Sequence, residues 1–175
     1  MHAPYNHRRS LWPRPSVGTL SDIPGGINGT RATLRTMADL IRDAKTDARI
    51  REVAVGIIAG LPHKAYAEQA EAITDWVARN VQFVRDVDGV ETLTPPAYLL
   101  STLAGDCDDQ SMLVGALLQS IGLPVRLSVG GPDAARMVHV WCEVNIAGRW
   151  LACETTEPLP FGTPPRFPFY MDHRI

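Results

Sequence analysis

Cysteine is scarce and odd in number: three residues, Cys107, Cys142 and Cys153, among 175. Three thiols cannot close a disulfide framework, which excludes a small secreted scaffold held together by disulfides. Long hydrophobic runs are missing too, and the longest, Val53 to Leu61, is too short to span a bilayer. Nor does one charge dominate, with 17 basic against 19 acidic side chains and a formal net charge of -2. So even a balance argues against nucleic acid as the main partner. No basic-then-apolar leader opens the chain, and a reducing, cytoplasmic setting with free thiols is the expectation. What is present is an ordinary globular composition, 45% hydrophobic and 21% charged, sufficient for a single core.

Proline marks the ends of the folded body. Of 14 prolines, four lie in residues 1–24 and five in residues 158–168. Residues 1–29 and 158–175 are therefore expected as extended arms, since proline removes a backbone donor and fixes φ. Helical spacing begins at Thr30, where Leu34, Met37, Leu40, Ile41 and Ala44 share one face. Asp47 reads as the N-cap of a second helix carrying Ile50, Val53, Ala54, Ile57 and Ile58. These two helices make a segment over 30–64. A helix from about Ala65 to Asn80, with Tyr66, Ala70, Ile73 and Val77 on one side, opens the main domain at 65–157. Thr94-Pro95 marks the start of a short helix ending before Gly105.

Asp106 then caps a helix whose apolar residues, Met112 to Leu118 and Ile121, run nearly all the way round. Such a helix is buried on most sides. Strand-like stretches follow at Val125–Val129, Val138–Ile146 and Arg149–Thr156. Helices first and an antiparallel sheet afterwards define an α+β domain.

Cys107 falls in the first turn of the buried helix. Free N–H groups and the positive end of the helix dipole favour a thiolate there, the species that attacks carbonyl carbon. Asp106, Asp108 and Asp109 act against this, so a partner base is required. Among the histidines, His139 is the one on a predicted strand. If Ala147-Gly148 is a tight turn, cross-strand partners pair Ile146 with Arg149 and Cys142 with Cys153. Glu154 then becomes the diagonal neighbour of His139 on the same face and can fix its tautomer. Cys142 and Cys153 read as a small buried pair on the other face. Gly105, Asp106 and Trp141 are candidates for the oxyanion site and the cleft wall, with Gly105 leaving room for a substrate backbone. Calcium at Asp106, Asp108 and Asp109 is a weaker alternative, because the glycine turn of a calcium loop is missing. Zinc at Cys107 and His139 is weaker still, with no second ligand pair nearby. No cofactor is therefore expected.

Three stretches, Gly105-Asp106-Cys107-Asp108-Asp109, His139-Val140-Trp141 and Trp150 through Glu154-Thr155-Thr156, resemble the transglutaminase-like superfamily over roughly residues 65–160. The resemblance implies a papain-like fold and a cysteine, histidine and acid as catalytic residues, here Cys107, His139 and Glu154. At the third place the family usually has aspartate, and this chain has glutamate. It also implies acyl transfer on a protein or peptide substrate, as amide hydrolysis or transglutamination. The alternative is an inert scaffold; small members of this kind look like proteins encoded among bacteriophage structural genes. In that setting phage structural proteins would be partners and the virion the location.

Overall fold

The computed structural model describes residues 18–19, 25–86 and 92–175. In chain order they form β1 (Gly18–Thr19), α1 (Gly26–Ala44), α2 (Ala48–Ile58), α3 (Tyr66–Asn80), β2 (Gln82–Phe83) and β3 (Thr92–Leu93). There follow α4 (Pro96–Thr102), β4 (Ala104–Gly105), α5 (Cys107–Ser120), β5 (Val125–Gly131), β6 (His139–Ile146), β7 (Arg149–Cys153) and β8 (Phe169–Arg174). The fold is α+β, with the cysteine-bearing helix packed on an antiparallel sheet.

Helix α5 is the axis of the molecule. Met112, Leu113, Val114, Ala116, Leu117 and Leu118 are all 0% exposed. Burial of each large side chain is worth roughly 1.5–3 kcal/mol, which makes this helix the main anchor of the core. Helices α1 to α4 pack on it from one side and β6 and β5 from the other. The shared core joins Ile50, Ile73 and Val77 to Cys142, Val144 and Cys153. Leu34, Met37 and Ile41 of α1 form a second cluster with Met112, Leu127, Val129 and Val140. That cluster carries α1 toward the N-terminal end of α5.

The sheet runs in the order β7-β6-β5-β8, antiparallel throughout. Its outermost strand corrects the expectation of a C-terminal arm over 158–175. Residues 169–174 pair with β5 over nearly its whole length, from Arg126↔Arg174 to Gly131↔Phe169. The cluster of prolines ends at Pro168, and the following stretch keeps every N–H needed for a ladder. At the other end α1 starts at Gly26, not Thr30, entered through Gly26 at φ 66°. Of the predicted N-terminal arm, Gly18–Thr19 pairs with β3, and the rest of residues 1–24 lies outside the described residues. Tyr66, expected on the buried face of α3, is 45% exposed in the first turn, while Ala70, Ile73 and Val77 are buried. No helix among the described residues is long and apolar enough to cross a membrane.

Candidate active site

Two local structures bring the site together. The first is the head of α5. Asp106 is its N-cap, and Oδ1 accepts from the N–H groups of Asp108 (3.1 Å) and Asp109 (3.3 Å). Cys107 is thereby the first helical residue, where the N–H has no intrahelical acceptor. The preceding residues are held by parallel pairing of β2 with β4, Val84 N–H donating to the Gly105 carbonyl at 3.0 Å. One turn along, Ser111 Oγ donates to the Val140 carbonyl at 3.2 Å, tying the helix to β6 just after His139.

The second is the β6–β7 hairpin. Ala147 and Gly148 have φ of 52° and 83°, so the connection is a two-residue turn with both central residues left-handed. The register is the one read from the sequence: Ile146↔Arg149 through Cys142↔Cys153. Glu154 follows directly after the ladder, and its side chain reaches His139. His139 Nε2 donates to Glu154 Oε2 at 2.8 Å, with the side chains 11% and 2% exposed. The other oxygen, Oε1, accepts from the N–H groups of Thr155 (3.0 Å), Thr156 (2.7 Å) and Glu157 (3.0 Å) and from Thr156 Oγ1 (2.9 Å). Burial pushes the Glu154 carboxyl up, but the His139 bond and charge and these backbone donors outweigh it and hold it below the ordinary value. An ionised Glu154 fixes the proton on Nε2 and leaves Nδ1 as the imidazole's acceptor.

Cys107 and His139 line the same cavity, of about 440 Å³. Its lining also includes the first turns of α1 (Gly26, Gly29, Thr30, Thr33) and the segment 135–138 before β6. The sulfur donates to Asp108 Oδ1 at 3.5 Å and makes no hydrogen bond to the imidazole. Burial pushes the thiol far above its ordinary pKa, and the charges of Asp108 and Asp106 add to this; the Val140 backbone opposes them only in part. Desolvation and two carboxylates thus overcome the helix dipole, and Cys107 rests as a thiol.

Several expected site residues have other duties. Gly105 does not open space for a substrate: a Cβ there would meet Asp109 Oδ2 at 2.6 Å and Leu99 Cδ1 at 3.0 Å. Trp141 does not line the cavity of Cys107. It is 2% exposed, its Nε1 donates to Glu143 Oε1 at 3.0 Å, and it borders a separate groove with Arg126 and Tyr170. Strand alternation places it on the sheet face away from α5. The three aspartates divide. Ligating atoms of Asp106, Cys107 and Asp108 lie within 4.8 Å of one another, but Asp109 turns away and accepts from Thr94 N–H at 2.7 Å. Asp109 therefore does not join the predicted calcium set.

Burial, opposed by the Thr94 N–H and reinforced by Asp106, raises the Asp109 pKa from 3.8 to about 6. A carboxyl whose pKa rises on folding contributes stability below its unfolded value and loses it as pH climbs through the folded one. Relative to Asp109→Asn, which keeps an acceptor for Thr94, the wild type is expected to lose about 2–3 kcal/mol between pH 4 and pH 7. Thermal denaturation of both proteins across that range checks this. A constant difference between them would contradict it.

Two neighbours of the site were missed in the sequence. Phe167 lies 6.1 Å from the His139 ring and 6.3 Å from Trp141, centroid to centroid, and Tyr170 packs edge-on against both Trp141 and Phe167. Both sit in the stretch that proline content marked as an arm. The available signal was the break after Pro168, where the seven residues 169–175 run free of proline and glycine.

A family model described as the transglutaminase-like superfamily matches residues 51–155, starting inside α2 and so earlier than the motifs alone indicate. Among solved structures, a candidate cysteine protease from Cytophaga hutchinsonii superposes with a TM-score of 0.51 at 19% identity, covering 77% of this chain and 51% of that one. A candidate protease from Parabacteroides distasonis gives 0.59 at 16% identity, covering 78% of this chain and 27% of that one. The chain thus spans about half and about a quarter of the length of these proteins, and the likeness is one of fold. No curated protein matches the sequence.

Proposed function

Because the chain belongs to the transglutaminase-like superfamily, we propose that it is a cysteine-dependent acyl-transfer enzyme acting on an amide bond of a protein or peptide. Cys107 is the nucleophile, His139 the acid–base group and Glu154 the residue that orients the imidazole. The observation that carries this reading is the 2.8 Å bond from His139 to Glu154 beside a cavity that His139 shares with Cys107.

In the first step Cys107 Sγ forms a bond to the carbonyl carbon, and the carbonyl electron pair moves onto oxygen. The thiol proton passes to His139 Nδ1. The N–H of Cys107, without an acceptor in its own helix, is suited to the developing oxyanion. The C–N bond then breaks as His139 returns the proton to the leaving nitrogen, leaving a thioester. Water attack completes hydrolysis; attack by a primary amine completes transglutamination. Burial and the Asp108 and Asp106 charges favour the thiol form of Cys107, so in this reading proton transfer to His139 accompanies attack.

Alkylation by iodoacetamide reads this out cleanly, because Cys142 and Cys153 are 0% and 1% exposed and Cys107 is the accessible thiol. Cys107 is expected to react roughly 10-fold or more slowly in His139→Ala at neutral pH, the lower end of what a positioned base contributes. Equal rates in the two proteins would remove the catalytic reading. Peptide release against incorporation of a labelled amine separates hydrolysis from crosslinking. One observation favours the inert scaffold, an assembly module among phage structural proteins: the thiol donates its hydrogen bond to Asp108 and not to the imidazole. Indifference to His139→Ala would select it.

A further inference from the structure

We infer that Phe167, laid across the sheet by the C-terminal segment, is a positioning residue that fixes the imidazole plane of His139 and keeps water from its bond to Glu154. The inference rests on the reading of His139 as the acid–base group. It begins from the register of the sheet. Gly130 of β5 is paired directly with His139 of β6 on one side and with Tyr170 of β8 on the other. A directly opposed residue normally supports its partner's side chain across the strands. Gly130 has no side chain to offer, and the vacant position is filled by Phe167. A Cβ on Gly130 would meet Phe167 Cδ2 at 2.3 Å and Cγ at 2.7 Å. Phe167 thus supplies from 37 positions along the chain the support that the cross-strand partner of His139 lacks.

The ring is held in place from two directions. Phe167 N–H donates to Tyr170 Oη at 2.5 Å, and Tyr170 Oη donates to the Pro165 carbonyl at 2.8 Å. Tyr170 itself is pinned by β8 pairing. On its inner side Phe167 stacks on Trp141 at 6.3 Å and 17°, and Trp141 stacks on His139 at 5.9 Å and 25°. His139 therefore has an aromatic neighbour in Trp141 and another in Phe167, at 6.1 Å and 40°.

One hydrogen bond, from Nε2 to Glu154, leaves an imidazole free to swing about it and redirect Nδ1. Two rings packed against the imidazole and against each other restrict that freedom. The His139–Glu154 pair is only 11% and 2% exposed, and water entering there would compete for the Nε2 proton. An apolar ring beside the imidazole excludes water from it without adding a rival hydrogen-bond partner.

The test uses the full chain with 15N-labelled histidine. In the wild type the His139 Nε2–H resonance is expected to be visible and slow to exchange with solvent. Phe167→Ala is expected to speed that exchange at least 10-fold or abolish the signal, and to slow Cys107 alkylation several-fold with an altered pH profile. Phe167→Tyr, which keeps the ring, restores both. Phe167→Leu keeps the bulk without the aromatic face, and supplies the same readout where the alanine variant does not fold. Unchanged Nε2–H exchange in folded Phe167→Ala or Phe167→Leu overturns the inference. Faster exchange, in a protein whose Cys107 is indifferent even to His139→Ala, supports the positioning role while removing the acid–base reading beneath it.

Discussion

Replacing Glu154 by alanine is expected to lower amide turnover roughly 10³-fold or more, the scale seen when the group orienting a catalytic imidazole is lost. The same change should destabilise the protein by about 1–3 kcal/mol for each buried donor it leaves unsatisfied. It strands the imidazole together with the N–H groups of Thr155, Thr156 and Glu157, all now satisfied by one carboxylate. Glu154→Gln separates the two effects. The amide oxygen can still accept from the 155–157 turn, so stability falls little. Its NH₂ faces His139 Nε2 and demands an acceptor there, which places the ring proton on Nδ1. A protonated Nδ1 cannot take the thiol proton, and turnover stays low. Glu154→Asp, although it restores the family's usual residue, is expected to lower turnover as well. The shorter arm cannot hold His139 and cap the 155–157 turn at once. The extra methylene is what lets one carboxylate serve both. Turnover beside urea denaturation for the three variants checks this; an aspartate variant as active as wild type would show that the turn contacts are dispensable.

The legible parts of this molecule were those governed by local rules. A helix apolar nearly all the way round in its middle, with an aspartate where the cap belongs, announced α5 and the placement of Cys107. A two-residue turn fixed the parity of β6 and β7, and with it the meeting of His139 and Glu154, fifteen residues apart. Contacts between distant segments left no such trace. The stripe of Leu34, Met37 and Ile41 shows that α1 packs, but not that its small residues Gly26, Gly29 and Thr30 form the wall facing Cys107. Gly105 looked like an opening for substrate because nothing nearby in sequence requires a glycine. The requirement comes from Asp109, which folds back over it from the next turn. Proline density concealed β8, since a count over a window does not register where the prolines stop. The state of the thiol was undecided for a similar reason: helix dipole and acidic neighbours are both visible in sequence, and only burial tips the balance.

Gly131→Ala is expected to destabilise the protein by roughly 3 kcal/mol, the upper range for overpacking, because the clash is with backbone. A Cβ at this position would lie 2.0 Å from the Arg136 carbonyl oxygen, 2.8 Å from Met137 Cα and 2.9 Å from the Arg136 carbonyl carbon. None of these atoms belongs to a side chain that can rotate away. The loop that carries them is fixed at both ends. Arg136 N–H donates to the Asp133 carbonyl at 3.2 Å, Ala135 N–H to Asp133 Oδ1 at 2.9 Å, and Val138 N–H to the Gly130 carbonyl at 2.9 Å. Relief of the clash therefore breaks bonds in the connection between β5 and β6. That connection is also the cavity wall at residues 135–138, leading directly into His139. Loss of stability should thus come with a displaced wall and altered access to Cys107. Denaturant midpoints and the rate of Cys107 alkylation in the same samples measure the two together. An alanine variant within about 0.5 kcal/mol of wild type, the scale of neutral surface changes, would mean that the loop is free to move and that this wall of the cavity is pliable.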